Sequence, residues 1–373
     1  CTCWPMKSKA FSYRHKPDAS DQYLEVSGDA GSNNLPIKSN CGSVRLGAPV
    51  AEWMTISWSK KPTRHSKIKS RRGCKMQKVA FIGLGNMGGP MARRLLKAGY
   101  VVRAFDMNPE ALVRLVEAGA EEATSAVDAV TGAEVVISML PEDRHVKDLY
   151  MGESALIDAV SPNTILIDCS TISPHTSRHV AEYASEKGLS MLDAPVSGGT
   201  AGAENGTLAF MVGGDQTAFN QCKLLFDAMG KSIFHVGANG AGQSVKICNN
   251  MLAAVLMAGT AEALAFGMKS GIDPAVLSDV ITKSSGQNFM VSKWNPWPGV
   301  DPAVPSSNGF KGGFQLRLML KDLNLATASA AEYQASVPVA SVTKSLLALH
   351  MQQTPGDAVM DFSSVIKLFT SNF

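Results

Sequence analysis

The run Val79-Ala-Phe-Ile-Gly-Leu-Gly-Asn-Met-Gly88, with Asp106 closing the next apolar run, constrains this chain more than any other feature. Val79–Ile82 is short, apolar and strand-like, and the stretch from Pro90 to Gly99 reads as a helix closed by glycine. Between them Gly83 allows a tight turn, Gly85 lets the backbone approach a pyrophosphate, and Gly88 lets helix and strand pack closely. The free N–H groups and positive dipole end of the helix beginning near Asn86 suit phosphate oxygens. Leu84, Asn86 and Met87 complete the cradle. Tyr100–Phe105 reads as the next strand, which puts Asp106 about 20 residues past the glycines, where a carboxylate accepts from ribose hydroxyls. It would also repel a 2′-phosphate, and Met107-Asn108-Pro109 offers no arginine to welcome one. The spacing therefore points to NAD rather than NADP; a helix-capping aspartate before Pro109 remains a second reading of the same residue.

From 78 to 238 strand-like runs alternate with amphipathic stretches. The strand candidates are Val79–Ile82, Val101–Phe105, Val135–Met139, Thr164–Asp168, Ser190–Asp193, Ala209–Val212 and Ser232–His235. Helical stretches near 90–98, 109–118, 125–131, 145–149, 174–187 and 215–228 separate most of them. This alternation predicts an α/β fold: a Rossmann-type, doubly wound, mostly parallel sheet. After the glycine-rich run 237–242 the pattern changes. Residues 243–270 read as one long Ala/Leu/Met-rich helix, followed by helical stretches near 273–284, 316–334, 337–352 and 357–369. The expected organisation is a dinucleotide-binding domain over 76–238 and an all-helical C-terminal domain over 239–373, joined by the long helix. The Pro- and Gly-rich residues 294–313 form a loop whose length suggests function.

Charge separates the front of the chain from the rest. Residues 1–75 hold 14 Lys/Arg against 5 Asp/Glu, and the remainder 21 against 27. Polar and without apolar period, residues 1–75 read as a disordered basic extension, incidental or upstream of the true start, the compact part beginning at Met76. Arg71-Arg72 and Lys60-Lys61 hint at nucleic acid or organelle targeting, but Asp18, Asp21, Glu25 and Asp29 are out of keeping with a transit peptide. Seven cysteines without a Cys-x-x-Cys pair suggest a reduced, intracellular protein without structural zinc. His175 and His179 lack a third ligand and read as a solvated helix face rather than a metal pair. The apolar stretch 251–267 is interrupted by Glu262 and too short to span a bilayer. A small molecule is the expected partner, with no nucleic acid and no membrane.

Ligands of such sheets bind beyond the carboxyl ends of the strands. Leu140-Pro141 follows the third strand candidate. Thr171 follows the fourth and could offer a hydroxyl to the nicotinamide side or cap the helix at Pro174, although Ser173 is better placed for the cap. Ser197-Gly198-Gly199 follows the fifth, as a nest for a small carboxylate or as a bare turn. Lys246 and Asn250 lie four apart on the long helix and share a face. A lysine among Val245, Ile247, Met251 and Leu252 could be desolvated, its pKa lowered toward that of a general acid–base; a surface lysine is the alternative.

Gly83-Leu-Gly-Asn-Met-Gly88, Asp193-Ala-Pro-Val-Ser-Gly-Gly199, Lys246-Ile-Cys-Asn-Asn250 and Lys321-Asp-Leu323 together resemble the β-hydroxyacid dehydrogenases, over residues 77 to about 369. The loop with Ser284-Ser-Gly286, Asn295-Pro-Trp-Pro-Gly-Val300, Val304-Pro-Ser306 and Gly312-Gly-Phe314 resembles the branch acting on 3-hydroxyisobutyrate (3-hydroxy-2-methylpropanoate). It departs from that branch at Lys293-Trp294 and at Gln287-Asn288-Phe289. The resemblance implies NAD-dependent oxidation of that 3-hydroxy acid to methylmalonate semialdehyde, as in valine catabolism. By the same resemblance Lys246 is the catalytic lysine, and Ser197, Gly198, Gly199 and Asn250 contact substrate. Thr171, Leu140, Pro141, His145 and Lys321 join the glycine loop and Asp106 around the cofactor. A homodimer or homotetramer is implied, in the mitochondrial matrix if eukaryotic and the cytoplasm if bacterial. The alternatives are a tartronate or succinic semialdehyde reductase, against which the proline-rich loop and Asp106 argue, and a chromatin-associated relative without the chemistry, against which Lys246 argues.

Overall fold

The computed structural model describes residues 78–153 and 155–370; the extension expected over 1–75 lies outside them. The chain alternates strand and helix up to Gly237: β1 (Lys78–Ile82), α1 (Gly88–Lys97), β2 (Val101–Phe105), α2 (Pro109–Val116), β3 (Glu121–Glu122), α3 (Ala126–Ala129), β4 (Val135–Ser138), α4 (Asp143–Met151), α5 (Leu156–Ala159), β5 (Ile165–Asp168), α6 (Pro174–Glu186), β6 (Ser190–Asp193), β7 (Val196–Ser197), α7 (Gly199–Asn205), β8 (Leu208–Gly213), α8 (Gln216–Met229) and β9 (Gly230–Gly237). Helices follow: α9 (Ala241–Lys269), α10 (Pro274–Thr282), α11 (Phe289–Lys293), α12 (Leu316–Glu332) and α13 (Pro338–Gln353).

The nine strands form one sheet in the order β3-β2-β1-β4-β5-β6-β8-β7, with β9 on β8. From β3 to β6 every pairing is parallel, so both faces must be covered. One apolar cluster packs Val79, Phe81, Ile137 and Ile167 against α1, α2 and α8. The opposite face packs Ala80, Ile82, Val136 and Leu166 against α3, α4, α5 and α6. The parallel rule breaks at β8, which runs antiparallel to β6 and β7 and parallel to β9. Chain order reverses between β1 and β4, and the crevice beyond their carboxyl ends is where such a sheet binds ligand.

The long helix starts two residues earlier than its composition suggests and carries the third core. Ala254, Met257, Ala261 and Leu264 pack with Leu316, Met319 and Leu323 of α12, Leu347 of α13, and Trp297 and Phe310 from the loop. Among the described residues α9 is the single helix long and apolar enough to cross a membrane, yet it lies packed against β8, α12 and α13. The helix expected over 357–369 is not an α-helix. Two 3-10 segments, Pro355–Val359 and Phe362–Leu368, stand there instead. Asp361 causes the break: its side chain accepts from Ser363 N, while its neighbours pair with residues 314–316 through Leu316 N to Met360 O and Phe362 N to Phe314 O.

Candidate active site

The glycine loop has the shape its sequence requires. Gly83 sits at φ +90°, where a side chain would be strained, and a Cβ on Gly88 would strike the Gly83 carbonyl. A Cβ on Gly85 would meet nothing within 4 Å, so this glycine borders open space rather than protein. No side chain caps α1, which leaves its amino end available to an anion. Asp106 reaches across from the end of β2: its Oδ2 accepts from Leu84 N, and its Oδ1 from Asn108 N at 2.7 Å. Asn108, not Asp106, caps α2. The carboxylate is thus fixed beside the glycine loop, and an open cradle with an acid at its far end fits a dinucleotide with free ribose hydroxyls.

A second group forms where β4 and β5 end. Lys321 on α12 donates from Nζ to Thr171 O at 2.7 Å and Pro141 O at 3.2 Å, tying the helical region to both turns. Leu140 N donates to Ser170 Oγ at 2.8 Å. Ser170 in turn donates to Asp168 Oδ1, which also accepts from Ser138 Oγ at 2.7 Å. Asp168 is wholly buried, and burial pushes its carboxyl up to about 6 against the pull of those hydroxyls. Ser173 caps α6 by accepting from Thr176 N at 3.0 Å, so Thr171 is released from that duty. His145, on α4, has a buried Nδ1 with no hydrogen-bond partner.

The third group lies on α9. Lys246 is 7% exposed and Asn250 6%. Of the neighbours from which burial was expected, Ile247 is buried and Met251 half-buried, but Val245 and Leu252 are 40% and 56% exposed. Helix α12 also covers the lysine's face, bringing Asp322, whose Oδ2 accepts from Asn250 Nδ2 at 2.6 Å. Burial drives the Lys246 ammonium down to about 8; Asp322 opposes that and Lys321 adds to it. Burial likewise raises the Asp322 carboxyl, against the pull of both lysines. Asp322 escapes sequence reasoning as a site residue because nothing in the Lys-Asp-Leu run tells which way it faces. Ser197 ends β7, Gly198 stands at φ +130° before α7, and Gly199 opens that helix. The Ser-Gly-Gly run is therefore a helix start rather than a bare turn, beside β8, on which α9 packs. His175 and His179 lie exposed on α6, and among the described residues no cluster of three His, Cys, Asp or Glu is placed to hold a metal.

Residues 78–237 match the family described as the NAD-binding domain of 6-phosphogluconate dehydrogenase. Residues 240–369 match that described as NAD-binding of NADP-dependent 3-hydroxyisobutyrate dehydrogenase. The chain is 55% identical over 294 residues to the 3-hydroxyisobutyrate dehydrogenase of Pseudomonas aeruginosa, covering 79% of this chain and 99% of that one. It is 52% identical to the NAD-dependent L-serine dehydrogenase of the same organism, covering 79% and 98%. The solved structure of the Mycobacterium tuberculosis 3-hydroxyisobutyrate dehydrogenase with L-serine is similar at a TM-score of 0.76 and 42% identity, covering 79% of this chain and all of that one. With its mostly parallel nucleotide-binding sheet and helical C-terminal region, the chain belongs to the 3-hydroxyisobutyrate dehydrogenase family, NAD-dependent oxidoreductases acting on the CH–OH group of small hydroxy acids.

Proposed function

We propose that the chain oxidises 3-hydroxyisobutyrate to methylmalonate semialdehyde, with Lys246 as acid–base, which would place it in valine catabolism. The observation that carries this reading is a buried lysine, its pKa near 8, on the helix face that also holds Asn250. Bound NAD supplies the hydride acceptor. Neutral Lys246 Nζ takes the hydroxyl proton as the carbinol carbon is oxidised; in reverse its ammonium form polarises the aldehyde and returns the proton. Asn250, with one amide donor committed to Asp322, orients the hydroxyl or the lysine. Ser197, Gly198 and Gly199 bind the substrate carboxylate with the Ser197 hydroxyl and backbone N–H groups. That contact sets the distance from carboxylate to carbinol carbon and so favours a 3-hydroxy acid.

Gly83, Leu84, Gly85, Asn86, Met87 and Gly88 hold the pyrophosphate, and Asp106 the adenosine ribose. Leu140, Pro141, His145, Thr171 and Lys321 line the nicotinamide side. The second family's description names NADP, but a carboxylate fixed beside the loop repels a 2′-phosphate, so Asp106 favours NAD. On this reading residues 76–238 bind the cofactor, and 239–373 complete the substrate site and mediate homo-oligomerisation. The protein works inside the cell, in the mitochondrial matrix if eukaryotic and the cytoplasm if bacterial.

L-Serine is the second reading, favoured by the 52% identical serine dehydrogenase. It too is a 3-hydroxy acid, with an ammonium where 3-hydroxyisobutyrate has a methyl. Comparing kcat/KM for 3-hydroxyisobutyrate, L-serine, glycerate and 4-hydroxybutyrate separates the readings. The expected order puts 3-hydroxyisobutyrate first; a higher value for L-serine replaces the first reading with the second.

A further inference from the structure

Gln243, which stands one helical turn before Lys246 on α9, has no exposed surface. Its Nε2 donates to Ser170 O at 2.8 Å, and its Oε1 accepts from Ile172 N at 3.2 Å. These two backbone groups flank Thr171. The side-chain amide therefore pairs with the peptides on either side of Thr171 as a neighbouring strand would, although the partners are 73 and 71 residues apart in sequence. Thr171's own carbonyl is taken by Lys321, and Ser170 Oγ is fixed between Leu140 N and Asp168.

At its own end Gln243 is no freer. Its backbone N–H donates to Asp193 Oδ2 at 3.0 Å, and Gly240 N donates to Oδ1 at 2.8 Å, so one buried carboxylate holds the start of α9 to the end of β6. A Cβ on Gly242 would strike Met211 O and Asp193, which keeps the helix start pressed onto the sheet. Helix α9 is thus hydrogen-bonded to both strand ends, and among the described residues Gln243 is the α9 side chain that bonds to the turn carrying Thr171.

We propose that Gln243 is a positioning residue that sets Lys246 against the Thr171 turn, fixing the acid–base group relative to the nicotinamide side of the cofactor site. It rests on the roles given above to Lys246 and Thr171. A buried amide satisfied by one donor and one acceptor bond is geometrically specific: neither bond survives a shift of the helix along the strand ends. Lys246, one turn onward, is carried with it.

The test uses the full chain with Gln243→Met, which keeps volume but removes both bonds, and Gln243→Glu, which keeps the acceptor for Ile172 N. For Gln243→Met the expected result is faster hydrogen exchange at the Ile172 amide without cofactor, and NAD affinity within about threefold of wild type. The value of kcat should fall roughly tenfold to a hundredfold, the cost of slight misplacement at a reacting centre. In Gln243→Glu the introduced carboxyl can donate to Ser170 O only when protonated. Aldehyde reduction should then acquire a loss of rate with rising pH that the wild type lacks at that pH. Unchanged exchange at Ile172, or kcat within twofold of wild type in folded Gln243→Met, overturns the proposal. If Gln243→Met does not fold, a wild-type pH profile in Gln243→Glu overturns it. A wild type inactive on every hydroxy acid would defeat the functional reading instead, while exchange at Ile172 still tests the clamp.

Discussion

At Lys246 burial and charge act in opposite senses, and burial wins. Asp322 stabilises the ammonium, but removal from water, aided by Lys321, brings the group down to about 8. With Lys246 as the proposed acid–base, oxidation needs the neutral amine, so kcat for the hydroxy acid should rise with pH and level off above about 8. Reduction of the aldehyde needs the ammonium and should fall across the same range. A flat profile from pH 6 to 10 in both directions would remove Lys246 from proton transfer. The sign for stability follows from the same shift. An unfolded lysine holds its proton to about 10.4, so between about 8 and that value the unfolded chain carries more protons and stability rises with pH. Below about 8 the cost of the buried cation is present in full. Lys246→Ala should keep NAD affinity, because the proposed cofactor contacts lie mainly on the glycine loop, and lose roughly a hundredfold or more in kcat. Lys246→Arg should restore little, since a guanidinium cannot release a proton at these pH values. Near-normal turnover of the alanine variant, with NAD binding followed by fluorescence, would overturn the assignment. The lysine and Asn250 are legible in sequence because a four-residue spacing fixes a shared face. Asp322 and Gln243 are not, because burial and partners far along the chain make them significant, and neither is local information.

Among the elements, those read from sequence are the ones with strong local patterns. The apolar runs at 79–82, 101–105, 135–138, 165–168 and 190–193 can only be interior strands, since a parallel sheet is covered on both faces. β3 and β7 span two residues each, too short for any periodicity to register. α7 hides behind Gly198 and Gly199, both at positive φ and so turn-like in composition. The Pro- and Gly-rich residues 294–313 were expected to be a functional loop, and the structure gives them a packing role: Trp297, Val304 and Phe310 are buried, with Trp297 and Phe310 in the core of the helical domain. Asp361 ties both ends of this segment down, accepting from Trp294 Nε1 at 3.1 Å and Phe314 N at 2.7 Å. Trp294 is one of the two departures from the related branch, and its indole here has a structural partner. Asp361→Ala would leave three donors unpaired, the buried Ser363 N and the half-buried Trp294 Nε1 and Phe314 N. Each costs about 1–3 kcal/mol in isolation, so after relaxation a loss of about 2–4 kcal/mol is expected in denaturant unfolding. Asp361→Asn, which keeps one acceptor oxygen, should lose less. Equal stability of the alanine variant and wild type would show that the loop is held by its apolar residues alone.

For the whole molecule, the helical domain leaves apolar surface that no other part of the described residues covers. Along α9, Val245, Leu252 and Phe266 are exposed at 40%, 56% and 73%, and Gly259 has nothing within 4 Å of its Cβ position. These positions are seven apart and so form one stripe on one side of the helix. On the other side Lys246 and Asn250 face α12, so the same element presents both the candidate acid–base group and the stripe. Val276 and Val280 on α10 add exposed apolar surface of the same kind. Such surface is costly to leave in water, at about 25 cal/mol per Å², and on the proposed homo-oligomer a second copy of this chain, using the same stripe, would be its occupant. Light scattering should therefore give a mass of at least twice the chain. Replacing both Leu252 and Phe266 with lysine would set like charges across a two-fold contact and should shift the protein to single chains at micromolar concentration. Because the stripe and the lysine share α9, dissociation should lower kcat more than it lowers NAD affinity, which the proposed function assigns mainly to the N-terminal domain. A wild type that is monomeric at that concentration, or a double variant of unchanged mass, would reject the stripe as the contact between copies.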